Sequence, residues 1–164
     1  TLEINIVKKI DLKIGYLDQF PEHTILMKSP ETLLIELKKD MIFLDSMENT
    51  FKKRLLRFGI RWNNVKDQNG SNISWTVLRI LLIVLMCHCK YDLLILDEPT
   101  FGLGWDQRVQ LRSFIRECMN RMHFIIVSHD EEFARSICDA IINFDHLEKK
   151  TFVIEKEKET QSQG

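Results

Sequence analysis

The chain opens with Thr1-Leu-Glu-Ile-Asn-Ile-Val7, where apolar and polar residues alternate with the two-residue period of a half-buried strand. Asp11-Leu-Lys-Ile-Gly-Tyr-Leu17 predicts a second strand, which runs into Asp18-Gln19-Phe20-Pro21. At Ser29 the period becomes helical. Ser29 is a capping residue, Pro30 suits the first helical position and Glu31 places an acid in the first turn. Leu33, Leu34, Leu37 and Met41 follow at helical spacing. Another helix is predicted over 46–58, with Gly59 as its stop. A polar loop over 63–72 then leads into a long apolar helix from Ser74 to Cys89.

Beyond Cys89 strands and helices alternate. Tyr91–Leu96 and His123–Ser128 are short apolar runs, which predicts parallel strands buried on both faces. Helices are expected over 106–122 and 130–139, further strands over 140–144 and 151–155, and a frayed polar tail over 156–164. The rhythm predicts an α/β fold in which a sheet core surrounds a helical stretch over 29–89. The sequence holds no internal repeat and no sustained heptad pattern.

Composition narrows the class. With 164 residues, 45% hydrophobic and 29% charged, the chain is too apolar for intrinsic disorder and suits one domain, 1–164. A net charge of −1 argues against a dedicated nucleic-acid binder, so no nucleic-acid partner is expected. The longest apolar run, Ile80–Cys87, falls far short of the roughly 20 residues that span a bilayer. No basic segment followed by an apolar one opens the chain, so no secretory signal is expected. The four cysteines lie in apolar segments, which predicts reduced thiols in the cytoplasm.

The candidate chemistry sits at strand ends. Leu93-Leu-Ile-Leu-Asp97-Glu98-Pro99-Thr100 carries two carboxylates at the C-terminal end of a strand, where open α/β sheets bind ligands. One carboxylate there can hold Mg²⁺, largely through its waters, while its neighbour takes a proton from an attacking water. Phe124-Ile-Ile-Val-Ser-His129-Asp130 repeats the arrangement with an imidazole, and Ile14–Gln19 with an amide. Each alone has a plain structural reading, as solvated acids in a turn, a capping histidine or a loop glutamine. Three strand ends carrying Gln, Asp-Glu and His in that order form a constellation.

On these motifs the sequence resembles the ATPase domain of ABC transporters along almost its whole length. Tyr16–Pro21 is similar to the Q-loop, Leu93–Thr100 to Walker B with its glutamate, Phe101-Gly-Leu-Gly-Trp-Asp106 to the D-loop, and Val127–Asp130 to the H-loop. The resemblance implies a P-loop NTPase-like core, incomplete at its N-terminus. It divides the chain into strands and Q-loop over 1–28, a helical subdomain with a degenerate signature over 29–89, and the Walker B, D-loop and H-loop part of the core over 90–155. It implies ATP and Mg²⁺, with Asp97 organising the metal and Glu98 as general base. Gln19 would sense metal and γ-phosphate, and His129 would contact the γ-phosphate. It also implies a second ATPase subunit and a transmembrane subunit docked on the helical part, holding the chain at the inner face of the membrane. Pro21-Glu22 after Gln19-Phe20 resembles the energy-coupling-factor and cobalt-type importers.

Two departures stand beside the match. At the family's Leu-Ser-Gly-Gly-Gln/Glu position stand Ile73-Ser74-Trp75-Thr76-Val77, of which Ser74 alone fits as a nucleotide-binding residue. The glycines let backbone N–H groups approach the partner's nucleotide, and Trp75 and Thr76 are expected to crowd that approach. Gly104 also stands where the D-loop usually carries Asp. The second departure is that none of the six glycines is followed by Lys, so Gly-x-x-x-x-Gly-Lys-Ser/Thr is missing and the chain resembles an ABC ATPase cut after its P-loop helix. Three readings follow: part of a transport ATPase, a degenerate or truncated subunit serving as a structural or regulatory partner, and an ABC relative working on DNA or ribosomes. Neutral charge, the lack of heptads and the single domain speak against the last. A poor signature beside an intact Walker B predicts an asymmetric heterodimer. Cys87-His88-Cys89 reads as a buried helix end, and Lys52, Lys53, Arg54 and Arg57 as a solvated basic face.

Overall fold

The computed structural model describes residues 11–20, 22–25 and 27–142. The strands expected at 1–7 and 151–155, the end of that at 140–144, and the tail over 156–164 lie outside the described residues.

Among the described residues three strands form one parallel sheet in the order β1 (Ile14–Leu17), β2 (Leu93–Asp97), β3 (His123–Val127). Ile14 pairs with Leu93 and Leu17 with Leu96, while Leu93 pairs with His123 and Asp97 with Val127. This register brings all three C-terminal ends to one side. Between the neighbouring strands β1 and β2 the chain makes its helical excursion: α1 (Glu22–Ile25), α2 (Pro30–Lys39), α3 (Glu48–Arg57), α4 (Trp62–Val65) and α5 (Trp75–Met86). After β2 come α6 (Trp105–Cys118), β3 and α7 (Glu131–Ile137).

Local chemistry sets the boundaries. The Ser29 side chain accepts from the Thr32 N–H and Pro30 occupies the first turn of α2, as the sequence predicts. The same helix ends earlier than its spacing suggests. Met41 is left-handed (φ 57°) and 68% exposed, and the Ile42 and Phe43 N–H groups close back on the Leu37 carbonyl. Gly59, at φ 74°, stops the next helix as expected. The predicted loop over 63–72 is partly helical: α4 covers its start, and a 3₁₀ turn over Gly70–Asn72 its end.

The core is built around α5. Leu78 through Met86 are all buried, so apart from Arg79 this helix is apolar on every side, and it packs against both α3 and β1. Phe51 and Leu55 of α3 meet it from one side, and Leu17, Leu94 and Leu96 from the sheet. Cys87, His88 and Cys89 end it in the interior, with His88 stacked on Phe114. No group of three His, Cys, Asp or Glu able to hold a metal occurs among the described residues.

Among the described residues the strands are covered on one face only. Leu94 and Leu96 are buried, whereas Ile14, Ile125 and Val127 on the opposite face are each about half exposed. The described residues account for the expected burial of one face. The described helices supply one layer, and no described element lies over the second face.

Candidate functional site at the strand ends

The parallel register delivers Gln19, Asp97, Glu98 and His129 to the same end of the sheet. Asp97, the last residue of β2, is half-buried, and the Tyr16 hydroxyl donates to its Oδ2 at 3.4 Å. Burial and the charges of Asp18 and Asp97 raise the Tyr16 phenol above its ordinary value.

Glu98 is held on several sides. Its N–H donates to the Val127 carbonyl at 2.8 Å, which continues the β2–β3 ladder past the strand end. Its backbone then turns left-handed, φ 46°, a conformation that costs a non-glycine residue about 1–2 kcal/mol. The turn closes where the Phe101 N–H donates to the Glu98 carbonyl at 3.1 Å. The carboxylate is anchored too: the His129 N–H donates to Oε1 at 2.8 Å and the Ser128 hydroxyl reaches Oε2 at 3.4 Å. With its side chain only 12% exposed, Glu98 presents one edge of a carboxylate to solvent.

The imidazole of His129 is fully exposed, its Nε2 3.8 Å from Glu98 Oε1. Asp130 caps α7 by accepting from the Phe133 N–H and is paired with Arg108 at 2.9 Å, which fixes the loop carrying His129. Gln19 enters through its main chain, whose carbonyl receives the guanidinium of Arg79. The second nitrogen of that guanidinium donates to the Glu98 carbonyl at 2.5 Å. Arg79 thus bridges the ends of β1 and β2 from inside the core.

The degenerate signature folds back on its own chain. The Trp75 ring lies 5.4 Å from Phe101 in an edge-on contact, with the Arg79 guanidinium 4.6 Å above it. The Thr76 hydroxyl donates to the Gly102 carbonyl at 3.3 Å. Gly102 needs its hydrogen side chain, having φ 76° and the Trp75 ring beside it. Gly104 is different: a Cβ there meets nothing closer than the Gln107 side chain at 3.8 Å, so an aspartate would fit. Ser74 begins α5 with an exposed side chain that makes no capping bond.

Arg79 and Tyr16 are the site residues that sequence reasoning missed. Arg79 had a signal, being the one charge inside the apolar run Trp75–Met86. Tyr16 had none. Three cations of the basic face of α3 pair within the chain: Lys52 with Glu48, and Arg54 and Arg57 with Glu117, while Lys53 is exposed. Trp62 is buried and Trp105 exposed, so the tryptophans form no base-stacking platform.

No family model matches the chain. It is 26% identical over 144 residues to the energy-coupling factor transporter ATP-binding protein EcfA2 of Clostridium acetobutylicum, covering 86% of this chain and 49% of that protein. With the EcfA2 of Staphylococcus saprophyticus it shares 27% over 139 residues, or 83% of this chain and 48% of that one. The chain spans about half the length of the curated relatives it matches. Among solved structures, an ATP binding subunit of an ABC transporter superposes with a TM-score of 0.66 at 18% identity, over 79% of this chain and 54% of that one. The RNase-L Inhibitor superposes at 0.61 with 20% identity, over 82% and 25%. The fold is that of an ABC ATPase domain, a P-loop NTPase architecture, and the chain is similar to ABC-type ATP-binding subunits, the energy-coupling-factor kind included.

Proposed function

We propose that this chain is the catalytic-carboxylate part of the nucleotide-binding domain of an ABC-type membrane transporter, acting on Mg·ATP. The observation that carries the reading is the clamped Glu98. Its carboxylate is oriented by the His129 N–H and kept nearly dry, next to a half-buried Asp97. A general base needs that fixed orientation toward a water.

The donor set fits magnesium, which keeps several waters and takes only one or two carboxylates beside its phosphates. Asp97 offers one carboxylate at the sheet end, and Gln19, two residues beyond the end of β1, would offer an amide oxygen. Bound there, the ion would neutralise charge developing on the transferred phosphoryl group. Glu98 does the rest. Oε1 accepts from the His129 N–H and Oε2 from the Ser128 hydroxyl, so the carboxylate is held by both oxygens and takes the proton of the attacking water on a remaining lone pair. His129 reaches outward beside it, where its ring can donate to a γ-phosphate oxygen. Phosphate binding itself needs a cradle of amides and a lysine, which no glycine of this sequence begins. The outer edge of β3 is unpaired among the described residues and borders a groove of about 710 Å³ that reaches Glu98 and His129. A parallel strand pairing there would deliver its following loop onto both residues.

Within this reading, residues 29–89 form the surface for a transmembrane subunit, and a second ATPase subunit completes the nucleotide sites. No described helix is long and apolar enough to cross a membrane; in this reading the partners hold the chain at the cytoplasmic face. The test has two parts. Calorimetry of the 164-residue chain with Mg·ATP is expected to show no micromolar binding. With the phosphate-loop segment of an EcfA2 relative joined ahead of Thr1, binding and turnover are expected, and Glu98→Gln should retain ATP with turnover lowered about 10²-fold or more. Unchanged turnover in Glu98→Gln would remove Glu98 as the base.

A further inference from the structure

The base at position 98 sits in a backbone conformation that a glutamate does not favour, and something must hold it there. The neighbouring turn contributes the Phe101 N–H, which donates to the Glu98 carbonyl. The other donor to that carbonyl is the guanidinium of Arg79, which is 1% exposed and sits one turn into α5. The same guanidinium donates to the Gln19 carbonyl. Its plane is packed against two rings, with Trp75 at 4.6 Å and Phe101 at 5.7 Å from its central carbon. A buried cation is tolerated only where its charge is answered, and here carbonyl dipoles and ring faces answer it.

We infer that Arg79 is a positioning residue for Glu98: by binding the Glu98 and Gln19 carbonyls together it holds the base in its left-handed turn and couples the β1 end to the β2 end. The inference rests on Glu98 being the base proposed above. Arg79 touches no substrate. Its fixed fork is suited to two carbonyls at once, whereas the flexible lysine ammonium is a point charge that would hold them less rigidly. Trp75 and Phe101 in turn hold Arg79, so the residues that spoil the signature sequence take part in a clamp on the chain's own base. Displacement of Phe101, which shares the Glu98 turn, would loosen that clamp.

Amide hydrogen exchange on the 164-residue chain, without nucleotide, tests this through the two amides bonded to Glu98, those of Phe101 and His129. In Arg79→Met both are expected to exchange at least tenfold faster relative to the α3 amides, and in Arg79→Lys by an intermediate factor. The decisive arm is Arg79→Met combined with Glu98→Gly. Glycine adopts a positive φ without a clamp, so protection of the Phe101 amide should return to within about threefold of wild type. A simple loss of packing at Arg79 would not be repaired from position 98. If Arg79→Met alone does not fold, recovery of folding in the double variant supports the clamp, and failure of both overturns it. The inference also falls if a folded Arg79→Met leaves the two amides at their wild-type protection, or if the glycine restores nothing. Because no ATP is involved, these outcomes stand apart from turnover: altered exchange together with full Glu98→Gln activity would reject the base and leave the clamp.

Discussion

Burial keeps the imidazole of His88 neutral in the folded chain. Its pKa is lowered chiefly by desolvation, against an opposing effect from the Val84 carbonyl, with the positive charge of Arg121 adding a smaller lowering effect. Because that carbonyl can only accept, Nδ1 carries the proton it shares with it at 2.7 Å. In the unfolded chain the ring titrates near 6.5, so below that pH the unfolded state binds a proton that the folded state refuses. Stability contributed by neutral His88 is therefore complete above pH 6.5 and lost as the solution becomes more acid. The melting temperature is expected to fall between about pH 7.5 and about pH 5, and to fall less in His88→Phe, which keeps a ring between Phe51 and Phe114. Equal pH slopes in the two proteins would exclude the effect. The sequence marked His88 correctly as part of a buried helix end, because its neighbours are apolar on both sides. Arg79 was harder to read. Its acceptors are backbone carbonyls, and a carbonyl is present at every residue, so nothing in the side chains of Gln19 or Glu98 advertises the bond.

Single elements show the same division between what a local pattern carries and what packing decides. Capping chemistry was legible: Ser29-Pro30 opens α2 and Gly59 closes α3, because those residues act within a few positions of themselves. The end of α2 was not, since Met41 continues the apolar spacing while the chain turns away beneath it to pair Phe43 with Cys89. The ends of the three described strands lie within three residues of those the sequence marks, but which face the described helices cover was not legible. An apolar run on a strand records what is to be covered, and not what covers it. In β1 the limiting position is Gly15, where a Cβ would lie 2.8 Å from the Tyr91 ring and 2.9 Å from Leu94. Both neighbours are packed side chains beside the central strand, so Gly15→Ala should overfill the layer and destabilise the chain by about 1–3 kcal/mol in urea unfolding. A variant as stable as wild type would mean that the Tyr91 ring swings aside without loss.

At the scale of the molecule the chain separates two halves of ABC chemistry. In the proposed reading the strand ends carry Asp97, Glu98 and His129 for activating water at one nucleotide. The signature region, which in this architecture serves a nucleotide on the partner, has Trp75 and Thr76 bound to its own Phe101–Gly102 turn. That turn also bonds the Glu98 carbonyl, so on the proposed reading freeing the signature to reach outward would disturb the base. The two duties compete for one set of contacts, and the contacts present favour the base. On the proposed function, an assembly of two unlike subunits would resolve the competition, with this chain giving its carboxylate to one site and contributing little to the other. The expectation is measurable in the assembled ATPase with its phosphate loop. Glu98→Gln should lower turnover about 10²-fold or more, whereas Ser74→Ala, at the exposed start of α5, should stay within about twofold. A symmetric pair predicts otherwise: Ser74 would then face a working nucleotide in both sites, and its loss would approach that of Glu98. Matching losses in the two variants would therefore rule out the asymmetric arrangement, while leaving the role of Glu98 intact.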